Sequence, residues 1–506
     1  MSTFSGRTGG HRPAVAGPSP AVRFLERRST ITAALAVVAV VGVTDVVLLA
    51  GPDRGRGAIV GPGGATGLAS SDGRLAGPRV VAPGGRVRIV ARGVRVPARV
   101  QEQVGGRWVA RGEPITTDGG ATRFRIRSTT GSAPLRAVGA DGRVSGRLDV
   151  PVRALRLLAV GDINLSPAPL GSVAGTDAAA PWRSVGPRLR GADIAFGNLE
   201  TAVSTRGTAE AKQFTFRTSP AALRTMRKRS GIDVVNLANN HTGDFGRQAT
   251  TDTLRHVADN GIVAVGAGRD EDDAHRPRIV RRLGLKVAFV GFSTVEPSDF
   301  RAGPSTPGIA WATPEAVRTA VRRAAAEADV VIATFHWGIE LARTPTDQSA
   351  QLARTAILAG ATAVIGGHPH VLQPAIGVGK DRLIAYSLGN FVFPSHSPAT
   401  ADSGILQLRL GAGKVLSHAF FPATIRGATP VLRPGPPDPS PSIPTSPAPA
   451  PPAPAPTPGV PVPAPVAPTP AAPTAAAPAT PAAPATPTAP AAAATPATGP
   501  SAAAGP

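Results

Sequence analysis

Between residues 156 and 428 the chain alternates short apolar runs with longer helix-like stretches, and this rhythm limits its fold more than any other feature. Runs of this length, rich in valine, isoleucine and leucine, are typical of buried strands. We predict strands at 157–160, 194–196, 234–237, 287–290, 330–335, 363–365 and 383–386. We predict helices at 220–228, 247–260, 314–328 and 347–359. The alternation predicts a layered α/β domain over residues 155–428, which is long enough to bury a large core.

Polar residues of the kinds that bind metals follow these apolar runs directly. The set is Asp162, Asn164, Asn198, Glu200, Asn239, Asn240, His241, His336, Glu340, His368 and His370. Ligands of α/β sheets bind beyond the carboxyl ends of the strands, so we expect these side chains to converge at one edge. The chain has no cysteine, so a metal there would be held by nitrogen and oxygen atoms. The sequence therefore predicts a metal or catalytic site.

The ordered motifs resemble those of the CapA family of capsule biosynthesis proteins, named for bacterial poly-γ-glutamate synthesis. The matching stretches are Val160-Gly161-Asp162, Gly197-Asn198-Leu199-Glu200, Asn236-Leu237-Ala238-Asn239-Asn240-His241, His336-Trp337-Gly338-Ile339-Glu340, Gly367-His368-Pro369-His370-Val371-Leu372-Gln373 and Tyr386-Ser387-Leu388-Gly389-Asn390-Phe391. The resemblance covers roughly residues 155–425. That family is similar to the calcineurin-like metallophosphatases, which implies a four-layer α/β/β/α sandwich with two metal ions.

The resemblance also implies ligands for a first metal. Asp162 and His370 would hold it, and Glu200 would bridge it to a second ion. Related phosphatases have Asp-x-His at the first motif, where this chain has Asn164 after Asp162 and Ile163. They also have aspartate where Glu200 stands. The first site is thus expected to be one imidazole short.

The second metal would be held by Asn240, His336 and His368, and His241 would act as the proton donor. Carboxylates suit Mg²⁺ or Mn²⁺, whereas three imidazoles favour Zn²⁺, Mn²⁺ or Fe. We therefore expect two divalent ions, with manganese or zinc favoured, and no organic cofactor.

Further polar residues are predicted to line the site or to orient its ligands. They are Asn164, Asn198, Asn239, Glu340, Tyr386 and Asn390. Tyr386 is the only tyrosine of the chain and is equally typical of a core aromatic with a satisfied hydroxyl. Trp337, beside His336, is either a packing residue or part of the wall of a substrate site.

The N-terminal region predicts a membrane anchor. Residues 31–50 contain one charged residue, Asp45, and are long enough to cross a ~30 Å hydrocarbon core. Arg23, Arg27 and Arg28 precede this segment, so residues 1–30 are expected in the cytoplasm and the later domains outside the cell membrane. A cleaved signal peptide and a buried soluble helix are the alternatives.

Three more segments differ in composition from the α/β region. Residues 51–77 are glycine-rich and predict a linker. Residues 78–150 alternate with period two between turn signals, which predicts a small β-sandwich-like domain. This segment has 14 arginines, no lysine and five acidic residues, so one face is either a solvated surface or a docking surface for an anionic polymer. Residues 430–506 are rich in proline, alanine and threonine and predict a disordered tail.

These patterns leave three functions open. The first is a membrane-anchored, extracytoplasmic enzyme of capsule or poly-γ-glutamate biosynthesis that works through a dinuclear metal site. Its partners would be an anionic cell-surface polymer or capsule synthase components. The second is a non-catalytic accessory that binds the polymer, and the third is a phosphoesterase of the cell envelope. Nucleic acid is not expected as a partner, although the net charge is +22, because the arginines are scattered and aromatic residues make up only 4% of the chain.

Overall fold

A computed structural model describes residues 73–167 and 177–436. The predicted anchor, residues 31–50, lies outside the described residues, as does the tail from residue 437. None of the helices within the described ranges has the length and apolarity needed to span a bilayer. The described part is a mixed α/β protein, as the sequence predicts.

The first seven strands form two antiparallel sheets that share one apolar core. The strands are β1 Arg74–Ala76, β2 Arg86–Arg92, β3 Ala98–Val104, β4 Arg107–Ile115, β5 Ala121–Arg125, β6 Gly131–Val138 and β7 Leu148–Val152. One sheet has the order β1-β2-β5 and the other β4-β3-β6-β7. Inward residues such as Val87, Ile89, Leu135 and Val150 fill the space between them. Strand β1 lies within residues 51–77, the segment predicted as a linker. Its pairing with β2 makes it part of the first sheet instead.

The rest of the described chain alternates strands and helices. The strands of its larger sheet are β8 Leu155–Ile163, β9 Ile194–Leu199, β12 Val234–Asn236, β13 Val263–Val265, β22 Asn390–Val392, β23 Asp402–Gly411, β24 Lys414–Arg426 and β25 Thr429–Leu432. Those of the second sheet are β15 Arg278–Arg282, β16 Leu285–Ser293, β18 Val330–His336, β19 Ala363–Gly367, β20 Ala375–Val378 and β21 Arg382–Ala385. Short pairs are formed by β10 Ala202–Val203 with β11 Arg217–Thr218, and by β14 Ala267–Gly268 with β17 Gly308–Ile309.

Helices cover the outer faces of both sheets. They are α1 Gly186–Arg190, α2 Pro220–Ser230, α3 Gly246–Asp259, α4 Glu271–His275, α5 Pro314–Glu327, α6 Asp347–Ala359 and α7 Pro398–Ala401. Short 3₁₀ turns occur at Ala180–Trp182 and Ser298–Phe300.

The alternation of side chains along each strand explains the layering. Phe196 of β9 and Phe289 of β16 face each other between the sheets, with ring centroids 5.9 Å apart. The neighbouring residue Ala195 instead packs under α2 and α3, and Ala288 packs under α5 and α6. Because successive side chains of a strand point to opposite faces, each strand contributes to both an inner and an outer core. The order is therefore helices, sheet, sheet, helices.

Parallel pairing brings the site residues to one edge of each sheet. Asp162 is opposite Asn198 in the register of β8 and β9, and Asn390 of β22 is opposite Asp162 on the other side. In the second sheet His336 is opposite Gly367, the residue before His368. The carboxyl ends of the strands thus collect the polar motifs, as the sequence predicts. Further along the chain, β25 pairs with β24 and ends at Leu432. The tail was predicted to begin at residue 430, so the sheet includes the first residues of that segment.

Candidate metal centre

Asp162 links the two sheets at the base of the site. It is fully buried, and its Oδ1 accepts a hydrogen bond of 2.9 Å from Nδ2 of Asn198. Its Oδ2 accepts a bond of 3.1 Å from the backbone N–H of His368. The same Asn198 amide nitrogen lies 3.2 Å from Nδ1 of His336. A Cβ at Gly367 would lie 2.4 Å from Asp162 Oδ1, so a glycine is needed for this close approach.

Glu200 occupies the centre of the cluster. Its side chain is fully buried, and Oε1 lies 3.4 Å from Nε2 of His336 and 3.8 Å from Nε2 of His241. Within the described part of the chain neither carboxylate oxygen makes a hydrogen bond. Burial opposes ionisation of this carboxyl, but the surrounding imidazoles outweigh burial and lower its pKa. Burying a carboxylate without hydrogen bonds costs free energy, and a bound cation would offset that cost. Both side-chain oxygens of Glu200 are available to bind one.

The loop that carries His368 and His370 has an unusual backbone. Both residues have positive φ, 94° and 58°, in a region that non-glycine residues rarely adopt. Such conformations cost about 1–3 kcal/mol each and cluster at functional sites. The conformation lets both imidazoles enter the site from one short loop: the His368 ring lies 4.8 Å from that of His336 and 6.0 Å from that of His370.

The pKa values of the two histidines of this loop are shifted in opposite directions. Burial, together with the neighbouring imidazoles, lowers the pKa of His368, whose Nδ1 has no hydrogen-bond partner among the described residues. His370 Nδ1 lies 2.8 Å from Oδ1 of Asn390 and 3.4 Å from Oδ2 of Asp162. For His370, burial acts against the proton, but Glu200 and Asp162 prevail and raise the pKa to about 9. A neutral imidazole with a free nitrogen is the form that ligates metals.

The donor set fits a divalent metal. Two groups of ligand atoms lie within 4.8 Å of one another, Glu200 with His368 and His370, and Glu200 with Asp162 and His336. Asn240 adds an amide oxygen 2.8 Å from Nε2 of His336. The structure therefore brings together all six residues predicted as ligands, with Glu200 common to both groups. The division differs from the one that the resemblance implies, because His370 is grouped with His368 and Asp162 with His336, rather than Asp162 with His370 and His336 with His368. Both side-chain oxygens of Glu200 and Nδ1 of His368 have no hydrogen-bond partner among the described residues, so these atoms are available to bind a metal.

His241 stands beside this cluster with a polar support that the sequence reasoning missed. Its Nδ1 lies 2.7 Å from Oδ2 of the buried Asp244, whose other oxygen accepts a 2.8 Å bond from Nζ of Lys212. A carboxylate oxygen only accepts, so Nδ1 carries the hydrogen and Nε2 is directed towards Glu200. The Phe216 ring stacks on the imidazole at 4.0 Å. The signal for Asp244 is its position three residues after His241 in Asn-Asn-His-Thr-Gly-Asp.

Three of the predicted lining residues form hydrogen bonds that orient other residues of the site. Asn390 binds His370, and Asn198 binds Asp162 and lies beside His336. Asn239 accepts from the His241 N–H and donates to the backbone of Leu199.

The remaining predicted lining residues lie in different surroundings. The Asn164 amide oxygen accepts bonds from Ser166 N and Thr201 Oγ1. Tyr386 packs with Trp337 in the core beneath α5 and α6, and Glu340 is exposed to solvent. Trp337 is a packing residue, since it is fully buried and donates to the Tyr386 carbonyl.

Comparison with known proteins identifies a family that matches the α/β domain. Residues 156–395 match the family described as bacterial capsule synthesis protein PGA_cap. The PGA biosynthesis protein CapA of Bacillus subtilis is 35% identical over 49% of this chain and 66% of its own length. The capsule biosynthesis protein CapA of Bacillus anthracis is 30% identical over 49% of this chain and 62% of its own length. The chain thus spans just under two thirds of the length of these relatives.

Two further comparisons concern a mycobacterial protein and a solved structure. A probable polyglutamine synthesis accessory protein of Mycobacterium tuberculosis is 31% identical over 46% of this chain and 66% of its own length. Among solved structures, a 5′-nucleotidase precursor from Thermus thermophilus is 17% identical, with a TM-score of 0.34, over 55% of this chain and 54% of that one. The family match, over residues 156–395, includes all the candidate ligands. Residues 156–395 thus match the family of bacterial capsule synthesis proteins, and the two CapA relatives are similar to about half of this chain.

Proposed function

We propose that this protein is a membrane-anchored, extracytoplasmic component of the biosynthesis of a capsule-type anionic polymer such as poly-γ-glutamate, with a dinuclear metal centre in its α/β domain. The observation that carries the metal centre is Glu200, a buried carboxylate without hydrogen bonds that is shared by two groups of ligand atoms. The names of the Bacillus relatives support the polymer class. The apolar segment 31–50 and the arginines before it support the location.

The first metal would be held by Asp162, His370 and Glu200. Asn164 stands where related phosphatases have a histidine, and its amide oxygen already accepts two hydrogen bonds. This site is therefore the weaker of the two.

The second metal would be held by Glu200 together with Asn240, His336 and His368. When bound, two such ions supply Lewis acidity and hold an oxyanion between them. The protein's own contribution is orientation: Asn198 and Asn390 fix ligands of both groups, and the positive-φ loop fixes His368. These hydrogen bonds preorganise the ligands before any ion arrives.

His241 would transfer a proton rather than bind a metal. Asp244 holds its Nδ1–H, so Nε2 is left to carry or release a proton at the substrate side of Glu200. This pair favours a second candidate, a metal-dependent phosphoesterase or hydrolase of the cell envelope. Asp244→Asn should keep the metal but lower turnover strongly, because the imidazole loses the partner that fixes its tautomer. A substrate screen with polyglutamate and phosphoesters separates an enzyme of polymer synthesis or processing from a phosphoesterase.

The metal centre is tested by metal content. His336→Ala and His368→Ala should each lower the bound metal by about half, because imidazole is a strong ligand for borderline metals. Asn164→Ala should matter little, and His241→Ala should keep the metal. Elemental analysis of the four variants, with circular dichroism to confirm folding, makes the measurement. Full metal retention in both ligand variants would refute the dinuclear centre and favour a non-catalytic accessory that binds the polymer.

A further inference from the structure

The outer face of the three-stranded sheet β1-β2-β5 is a dense array of arginines. We call it the Arg face; its members are Arg74, Arg86, Arg88, Arg92, Arg123 and Arg125. Because side chains alternate along a strand, these residues point away from the core that Val87, Ile89 and Phe124 fill. The face precedes residue 156, where the family match begins, so the family does not account for it.

The arginines of this face are placed directly opposite one another. The register pairs Arg86 with Arg125, Arg88 with Arg123, and Arg74 with Arg92. Like charges in directly opposed positions destabilise a sheet. Arg125 forms an ion pair with Asp329, but among the described residues the other five guanidinium groups have no carboxylate partner. The face therefore carries a large uncompensated positive charge.

A pocket lies within this array. It has a volume of about 440 Å³ and is lined by Arg86, Arg88, Arg123 and Arg125 together with Val87 and Phe124. Alternate residues of a strand lie roughly 7 Å apart, and neighbouring strands lie ~4.8 Å apart. An extended acidic chain repeats its carboxylates on one side at a similar spacing. Guanidinium groups bind carboxylates through two parallel hydrogen bonds, which a lysine cannot reproduce.

The composition of the face favours carboxylates over bases. Apart from the arginines, its outward residues are small or aliphatic, such as Ala76, Val90 and Ala121. The aromatic residue of these three strands, Phe124, is turned inward. Single-stranded nucleic acids are held largely by stacking of bases on aromatic rings, for which this sheet offers no platform.

The face is fixed to the α/β domain at the end opposite the metal centre. The backbone N–H groups of Ala82 and Arg86 donate to the carbonyls of Leu283 and Gly284, each at 2.8 Å. These carbonyls precede β16, whose far end, Ser293, is paired with His336. A nine-residue strand spans roughly 30 Å, so a small anion that binds one region does not reach the other.

We propose that the Arg face binds a linear polycarboxylate and holds it on the protein at a distance from the metal centre. The choice of a polycarboxylate rests on the proposed function, whereas the anionic character of the ligand follows from the face alone. A long polymer bound here is kept at a high local concentration near the domain that carries the metal centre.

The test uses the full chain in detergent and fluorescein-labelled poly-L-glutamate, with binding followed by anisotropy. Arg88→Gln/Arg123→Gln should weaken binding roughly 10–100-fold, because two charge-assisted contacts are lost. Arg88→Lys/Arg123→Lys should also weaken it, though by less, since the charge stays and the bidentate geometry goes. The matched control is Arg224→Gln/Arg322→Gln, which removes two exposed arginines from helices of the α/β domain and should leave affinity unchanged. An unchanged Tm confirms folding of each variant.

Two results would overturn the inference. Equal affinity in the Gln variant, its control and the wild type would leave only a solvated face. Equal or tighter binding of a single-stranded oligonucleotide with the same number of charges would assign the face to nucleic acid instead. Failure of the proposed metal centre is detected separately, because His368→Ala should lose about half of its bound metal and still bind poly-L-glutamate at the Arg face.

Discussion

The substitution Glu200→Gln tests the buried carboxylate at the centre of the ligand cluster. A ligand that binds only the folded state stabilises it by about 2.7 kcal/mol at one hundred times its Kd. For a domain of this size that corresponds to a rise in Tm of roughly 5–10 °C. Glutamine keeps the shape but loses the charge that both ligand groups share. If its loss weakens metal affinity ~100-fold, the stabilisation at the same metal concentration falls to about 0.4 kcal/mol.

The assay is thermal unfolding of the metal-stripped protein, with and without added Mn²⁺ or Zn²⁺. Wild type should show the full metal-dependent rise in Tm, and Glu200→Gln should show almost none. Glu340→Gln is the matched control, because Glu340 lies in one of the same motifs but is exposed to solvent. A rise of equal size in wild type and Glu200→Gln would refute the assignment of Glu200 as the shared ligand.

Three further predictions concern other parts of the molecule. Gly367→Ala should reduce metal content without unfolding the protein, because the added Cβ would displace Asp162; elemental analysis with circular dichroism checks this. The hydrogen bond from Arg206, with burial acting against it, lowers the pKa of Asp252 to about 2, so Arg206→Gln should be less stable than wild type above about pH 4, and the difference should vanish as the pH falls towards 2 in thermal unfolding scans. Protease added to spheroplasts should digest residues 51–506, and survival of that whole region would contradict the predicted topology.

The elements that carry the site were predictable because their signals are local. Each apolar run that ends in a polar motif became a strand, and the pairing of parallel strands then left little choice about where the motifs meet. Helix α6 matches its predicted bounds at both ends, since Thr346 caps its first turn and Gly360 follows its last residue. Residue types at strand ends likewise indicated a metal or catalytic site, and the resemblance to the CapA family implied which of these residues would be ligands.

What the sequence did not predict depends on contacts between distant segments. Strand β24 has an irregular pattern of burial and is held by pairing along its length with β23, so it lacks a clear periodic signal. Lys212 reaches Asp244 from 32 residues away in the chain, and only the folded loop brings them together. The absence of hydrogen bonds to Glu200 within the described chain is also a property of the packed site.

The most direct test of the central claim is anomalous diffraction from crystals of this protein soaked with Mn²⁺. The account predicts anomalous peaks at ligand distances of about 2.0–2.2 Å from the oxygens of Glu200, flanked by the imidazoles of His336, His368 and His370. A well-ordered Glu200 with no anomalous peak beside it at saturating Mn²⁺ would contradict the metal centre.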